Sequence, residues 1–209
     1  MTRPFLSNGW FAELKGFTGK ESAEVLASEF WLVELSELDG MKKSDVDYLY
    51  GWARTQDFPL RRAPTAVGYS NKDIYFCWLK GHREDHGCVR KSIIDDQRVI
   101  DILEDDEILL ATISLFESGT ELGPHKDPPV YNKSKNSKPK QYRRIQIPLY
   151  IPSNECYMIW KGGKVLWEEG VPQIYDVMDH VHEGYNYSDD DMIFLFIDIL
   201  KNDDNSNLH

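Results

Sequence analysis

Apolar positions recur every three or four residues in the first half of the chain, which is the period of an amphipathic helix. This pattern predicts a helix over residues 18–39, whose first four residues have the form of a capping box. A second helix is expected to begin at Ser44, and a third to span residues 92–103. Between these two, the short apolar and aromatic run at 74–79 predicts a strand.

From residue 108 onward the pattern changes to short β-branched and aromatic runs that are separated by turn residues. The runs cover residues 108–116, 144–151, 157–160, 164–167, 173–177 and 192–200. Strands at this spacing predict an antiparallel sandwich or barrel, and the fold class is therefore α+β, with the helices first. Side chains alternate along a strand, so the last run should place two sets on opposite faces: Met192, Phe194 and Phe196 on one, and Ile193, Leu195 and Ile197 on the other.

The length of 209 residues suits one domain with a sizeable core. We expect a single domain over residues 1–201, with mainly helical support in 1–107 and a β core in 108–201. The polar tail at 202–209 is expected to be disordered.

The chain is acidic, with a formal net charge of −11, and this argues against a general nucleic-acid binder. No apolar run is long enough to span a bilayer, and the first ten residues lack the apolar core of a signal peptide. The three cysteines show no close pairing pattern. These features predict reduced thiols and a cytoplasmic location.

Three residues carry the strongest chemical signal. His125 and Asp127 are two residues apart, so in extended backbone both side chains can reach one metal ion. His182 follows 57 residues later, at the end of a strand-like run. Two imidazoles and one carboxylate form the facial triad of non-haem Fe(II) oxygenases, which leaves further coordination positions open.

Four segments around these residues resemble the aspartyl/asparaginyl β-hydroxylases. Residues 114–125 are similar to the family's strand, Gly-Thr turn and proximal histidine, and residues 144–152 to its next central strand, which begins with Arg and ends with Pro. Residues 167–170 are similar to the turn before its distal segment, and residues 182–189 to its distal histidine with the polar run after it. The resemblance covers roughly residues 88–199.

The resemblance implies a double-stranded β-helix, a jelly-roll or cupin-like core, with flanking N-terminal helices. It implies an Fe(II)- and 2-oxoglutarate-dependent dioxygenase in which His125 and His182 bind iron and Asp127 completes the triad. It assigns binding of the 2-oxoglutarate carboxylate to Ser114 and Arg144. Gln146, also expected at the co-substrate site, stands where the family has a histidine. Met192 stands where the family usually has an arginine for the same co-substrate.

The substrate implied by the resemblance is an aspartyl or asparaginyl side chain in a protein or peptide. One alternative is a free amino acid or another small anionic metabolite, since Asp127 completes the triad as in the related free amino-acid hydroxylases. A second alternative, motivated by Met192, is a catalytically inactive β-helix that acts as a binding module.

A basic segment begins at the predicted metal ligands. Residues 126–144 contain seven cations and one anion, a net charge of +6, which leaves −17 for the remainder of the chain. One interpretation is a solvated loop, and the other is a mobile lid that attracts an anionic substrate. Tyr185 and Tyr187 are candidates to line a substrate pocket, since they lie close to His182 in sequence.

Overall fold

The computed structural model of the chain describes residues 41–62, 69–81, 88–128 and 140–201. Within these residues the chain forms two helices and ten strands. In chain order they are α1 (Lys43–Ala53), β1 (Arg61–Arg62), β2 (Ile74–Lys80), α2 (Gln97–Leu103), β3 (Ile108–Phe116), β4 (Thr120–His125), β5 (Tyr142–Tyr150), β6 (Cys156–Trp160), β7 (Gly163–Leu166), β8 (Gln173–Tyr175), β9 (His182–Asn186) and β10 (Met192–Leu200). Neither helix is long and apolar enough to cross a membrane.

The strands pair antiparallel in two sheets. The larger sheet has the order β1-β2-β3-β10-β5-β8, and the smaller has the order β4-β9-β6-β7. From β3 onward the chain passes from one sheet to the other at each connection except the β6–β7 hairpin, which is typical of a jelly roll. The predicted α+β architecture with a double-stranded β-helix core is confirmed.

Two hydrophobic cores lie on the two faces of the larger sheet. One core packs the sheet against the helices and contains, among others, Val46, Leu49, Val99, Leu103, Ile113, Ile145, Leu195 and Ile197. The other lies between the two sheets and contains, among others, Phe116, Met158, Trp160, Met192, Phe194 and Phe196. The predicted alternation along β10 is confirmed, since its odd-numbered isoleucines and leucine face the helices and its aromatic residues face the jelly-roll interior.

Of the three predicted helices, two fall within the described residues. The helix predicted over residues 18–39 lies outside the described residues. The helix predicted from Ser44 is α1, which begins one residue earlier. The prediction over 92–103 is wrong in its first five residues, because α2 begins at Gln97, where the Asp96 carboxylate caps the helix by accepting a 3.1 Å hydrogen bond from the backbone N–H of Val99.

Candidate metal centre

Two histidines lie side by side where β4 ends and β9 begins. His125 is the last residue of β4 and His182 is the first residue of β9, and the two are partners across this antiparallel pair. Partners of this kind project to the same face of a sheet, and the centroids of the two rings are 4.3 Å apart. The prediction that His182 ends a strand is wrong, because it begins one.

Asp127 completes a cluster with both histidines. It lies just beyond the end of β4, where its backbone N–H donates a 3.0 Å hydrogen bond to the carbonyl of Val177. Its Oδ1 atom lies 3.5 Å from Nε2 of His125 and 3.8 Å from Nε2 of His182. The three atoms that could coordinate a metal all lie within 4.8 Å of one another.

The backbone fixes the orientation of both imidazole rings. Nδ1 of His125 lies 2.8 Å from the carbonyl oxygen of Gly123, and Nδ1 of His182 lies 3.2 Å from that of His180. A carbonyl oxygen only accepts hydrogen bonds, so each Nδ1 carries the proton and donates it. In the neutral imidazole Nε2 is then the electron-pair donor, and Nε2 of both rings faces the Asp127 carboxylate, an arrangement that a cation stabilises.

Burial favours the neutral form that a metal ligand requires. Burial lowers the pKa of His182, and this effect outweighs the opposing attraction of Asp127. Two aromatic rings support the histidines. Tyr69 stacks on His125 with a centroid distance of 4.7 Å and an interplanar angle of 9°, while Trp160 lies 6.1 Å from His182. These residues fit a divalent transition metal such as Fe(II).

Arg144 connects the cluster to the larger sheet. It lies on β5, and its Nη1 donates a 2.5 Å hydrogen bond to Oδ2 of Asp127, whereas Oδ1 is the oxygen near the histidines. Its Nε and Nη2 donate to Oδ1 and Oδ2 of Asp198 at 2.7 and 2.9 Å. All three nitrogens of the guanidinium group therefore donate to carboxylates that belong to the chain itself.

The arginine and its two aspartates form a largely buried charged group. The side chain of Asp198 is 1% exposed, and that of Arg144 is 18% exposed. Burial alone would lower the pKa of Arg144, but Asp198 and Asp127 together hold it well above its usual value. Burial raises the pKa of Asp198, and Arg144 opposes this rise. With the arginine and both aspartates charged, the group carries a net charge of −1.

The other residues assigned to the co-substrate lie on the same interior face. Ser114 is fully buried on β3, and its hydroxyl has no hydrogen-bond partner among the described residues. Gln146 is buried on β5, two residues beyond Arg144, where it pairs in register with Phe196. The structure thus brings Ser114, Arg144 and Gln146 to the wall of the jelly-roll interior.

Asp198 is a residue of this site that the sequence interpretation missed. Met192 is buried on β10 and brings no cation to the interior. Asp198 lies six residues further along the strand, so alternation places it on the same face. The sequence did carry a signal for this residue: Asp198 is the one charged residue in the strand, and it lies an even number of positions from Met192.

Two further expectations concern residues around the cluster. The prediction that Tyr185 and Tyr187 line the substrate pocket is wrong. Alternation along β9 turns His182 inward and Tyr185 outward, and Tyr187, just after the strand, is 45% exposed. Residues 129–139, the central part of the basic segment, lie outside the described residues. At its end, Arg143 forms an ion pair with Asp176 at 3.1 Å, on the face of β5 opposite to Arg144.

The described fold is similar to solved jelly-roll structures. A 2OG-Fe(II) oxygenase family oxidoreductase from Burkholderia pseudomallei is 14% identical, with a TM-score of 0.50, over 76% of this chain and 79% of that one. A predicted oxalate decarboxylase from Thermotoga maritima is 15% identical, with a TM-score of 0.42, over 68% and 92%. A cupin-2 domain protein from Rhodospirillum rubrum is 7% identical, with a TM-score of 0.42, over 71% and 75%. No curated protein matches the chain in sequence.

The fold and the cluster thus define a cupin-like jelly roll with a His-Asp-His group in its interior. The sequence profile of the aspartyl/asparaginyl beta-hydroxylases matches residues 90–202, which is more than half of the chain. The chain belongs to the aspartyl/asparaginyl beta-hydroxylase family, and it is an enzyme of the oxygenase class.

Proposed function

We propose that this chain is an Fe(II)-dependent oxygenase in which His125, Asp127 and His182 hold the metal. The observation that carries the proposal is the convergence of two Nε2 atoms and one carboxylate oxygen, with both Nδ1 protons already donated to backbone carbonyls. Iron bound to such a facial set supplies the redox chemistry with which oxygenases activate dioxygen.

The remaining residues orient these ligands and exclude water. Arg144 holds Oδ2 of Asp127 and leaves Oδ1 to face the histidines. Such hydrogen bonds to metal ligands fix their geometry and strengthen metal binding. Phe194 and Phe196 on β10 contribute apolar surface to the interior, which keeps the reacting region dry.

We propose an aspartyl or asparaginyl side chain of a protein or peptide as the substrate. The family's description supports this substrate class. A free amino acid or another small anionic metabolite is the second candidate, and the carboxylate of Asp127 in the cluster favours it, because the resemblance associates a complete triad with free amino-acid hydroxylases.

The co-substrate of the family, 2-oxoglutarate, fits this site less well than the metal does. The unpartnered hydroxyl of Ser114 offers one buried hydrogen-bonding group. Arg144, the cation expected to bind the far carboxylate, already donates from all three nitrogens to Asp127 and Asp198. In this arrangement a further carboxylate would have to share Arg144 with Asp127 and Asp198, since three of the five N–H groups of the guanidinium group are already donated.

Metal binding is the direct test of the proposal. Calorimetric titration of the purified chain with Mn(II), and with Fe(II) under anaerobic conditions, should give one site per chain. His125→Ala should weaken binding at least 100-fold, because it removes one of three protein ligands. His180→Ala is the matched control, since the hydrogen bond between this neighbouring histidine and His182 uses the backbone carbonyl of His180, which the substitution leaves in place. Equal losses in the two variants, or no binding by the wild type, would overturn the proposal.

The reaction is tested separately from the metal. Succinate formation from 2-oxoglutarate should require Fe(II) and His125. The substrate class follows from whether an aspartyl or asparaginyl peptide, or the free amino acid, increases the yield and gains one oxygen atom by mass spectrometry. A chain that binds Fe(II) but never oxidises 2-oxoglutarate or any of these substrates would contradict the oxygenase assignment while leaving the metal site intact.

A further inference from the structure

Asp198 gives Arg144 a permanent carboxylate partner inside the jelly roll. Its two oxygens receive hydrogen bonds from Nε and Nη2 of Arg144, which is the paired geometry with which arginine binds carboxylates in general. The two residues are partners in register on the adjacent strands β5 and β10. The contact is therefore built into the sheet rather than formed by a chance rotamer.

This partner changes what the interior can bind. An incoming acid would have to displace Asp198 from the arginine or bind beside it. The arginine and its two aspartates already carry a net charge of −1, and the aromatic face of β10 adds no cation. A dianion is therefore disfavoured at this position, whereas a divalent cation next to Asp127 is favoured.

Asp198 also affects the metal through Arg144. While Asp198 neutralises the guanidinium group, Asp127 keeps most of its negative charge for a metal at Oδ1. Without Asp198, Arg144 would have Asp127 as its one carboxylate partner among the described residues, and it would compete with the metal for that carboxylate.

We propose that Asp198 is a positioning residue that shifts the balance of the site toward metal binding and away from binding of a carboxylate ligand. This inference rests on the proposed metal site. It predicts opposite changes in two affinities when the charge of Asp198 is removed, which a purely structural role would not produce.

The test measures both affinities in Asp198→Asn, a variant of nearly the same shape. The affinity for Mn(II) should fall about 10-fold, at the lower end of what loss of an outer partner of a metal ligand produces. The affinity of the Mn(II)-loaded protein for 2-oxoglutarate should rise about 10-fold, which corresponds to about 1.4 kcal/mol. Asp176→Asn is the matched control, because it removes the same charge from the neighbouring pair with Arg143, and it should change neither affinity more than 2-fold.

Rescue by a small acid gives a second measurement. Asp198→Ala leaves space beside Arg144, so 100 mM formate should raise the unfolding temperature of this variant but not that of the wild type or of Asp176→Ala. If both affinities fall together in Asp198→Asn, or if Asp198→Ala folds neither alone nor with formate, Asp198 serves the fold alone and the inference is wrong. If the wild type binds no metal, the proposed function itself fails.

Discussion

Replacement of Asn186 by alanine should cause a large loss of stability without removing any residue of the metal cluster. Asn186 is the last residue of β9, is fully buried, and faces the interior on the same side of the strand as His182. Its Nδ2 lies within hydrogen-bond distance of three backbone carbonyls, those of Phe116, Glu117 and Asp190. Its Oδ1 accepts hydrogen bonds from Ser188 and Cys156.

The magnitude follows from the number of these bonds. A side-chain amide has two N–H groups and one carbonyl, so alanine removes at least three hydrogen bonds, each worth about 1 kcal/mol net. The partners are buried and cannot all turn to water, and a buried group left unsatisfied costs about 1–3 kcal/mol. We therefore expect Asn186→Ala to lower the free energy of unfolding by about 4 kcal/mol.

Asn71 provides a matched control, because its side chain bonds to the same turn between β3 and β4. Its side chain bonds the carbonyl of Gly119 at 3.1 Å and the N–H of Glu121 at 2.7 Å, but it is exposed to solvent. Water can replace these bonds, so Asn71→Ala should cost about 1 kcal/mol or less.

Equilibrium unfolding in urea, followed by tryptophan fluorescence and circular dichroism, measures both variants. A loss for Asn186→Ala within 1 kcal/mol of the loss for Asn71→Ala would refute the argument that burial of the amide network stabilises this turn.

Two other predictions concern cysteines and glycines. All three cysteines lie within the described residues; Cys88 is exposed and the other two are buried, and burial raises the pKa of Cys77 to about 11. A thiol reagent at pH 8 should therefore modify one thiol per chain in the native protein and three in urea. Cys88→Ser should abolish the reaction of the native protein. Gly170 and Gly162 both have positive φ, and a Cβ at Gly170 would lie 2.9 Å from the ring of Tyr50, whereas one at Gly162 would meet nothing within 4 Å. Both alanine variants should lose about 1–2 kcal/mol to backbone strain, and the Gly170 variant should lose more; equal losses in urea unfolding would contradict the role of the contact.

For strongly apolar strands, the sequence predicts which sheet face each side chain occupies, because side chains alternate between the two faces. Once β10 is recognised as a strand, the opposite faces of Met192 and Ile193 follow directly, and the structure confirms them. β4 and β9 were not predicted as complete strands, because Thr120–His125 contains glycine and proline and His182–Asn186 is mostly polar. Each of these two strands forms because it pairs with the other, and not because its own sequence is strongly hydrophobic.

The candidate site could be predicted only in part for a similar reason. The spacing of His125 and Asp127 suggested a shared direction. His182 was proposed from its residue type and its strand-like setting, and the family resemblance supported it, since residues 57 positions apart carry no local signal that they meet. The partner of Arg144 depends on the register between β5 and β10, which the sequence does not specify. An isolated aspartate in an apolar strand was the available indication that Asp198 needs a buried cationic partner.

The pair of β4 and β9 is held at its two ends by different chemistry. At one end Thr120 pairs with Asn186, and the neutral hydrogen bonds of Asn186 are complete within the protein. At the other end His125 pairs with His182, and three electron-pair donors face one another. Since such donors repel unless a cation lies between them, the first end can be stable by itself, whereas the second gains stability from a bound metal. The same strand pair therefore supplies both a rigid anchor and a binding site, and Arg144 connects that binding site to the larger sheet through Asp198.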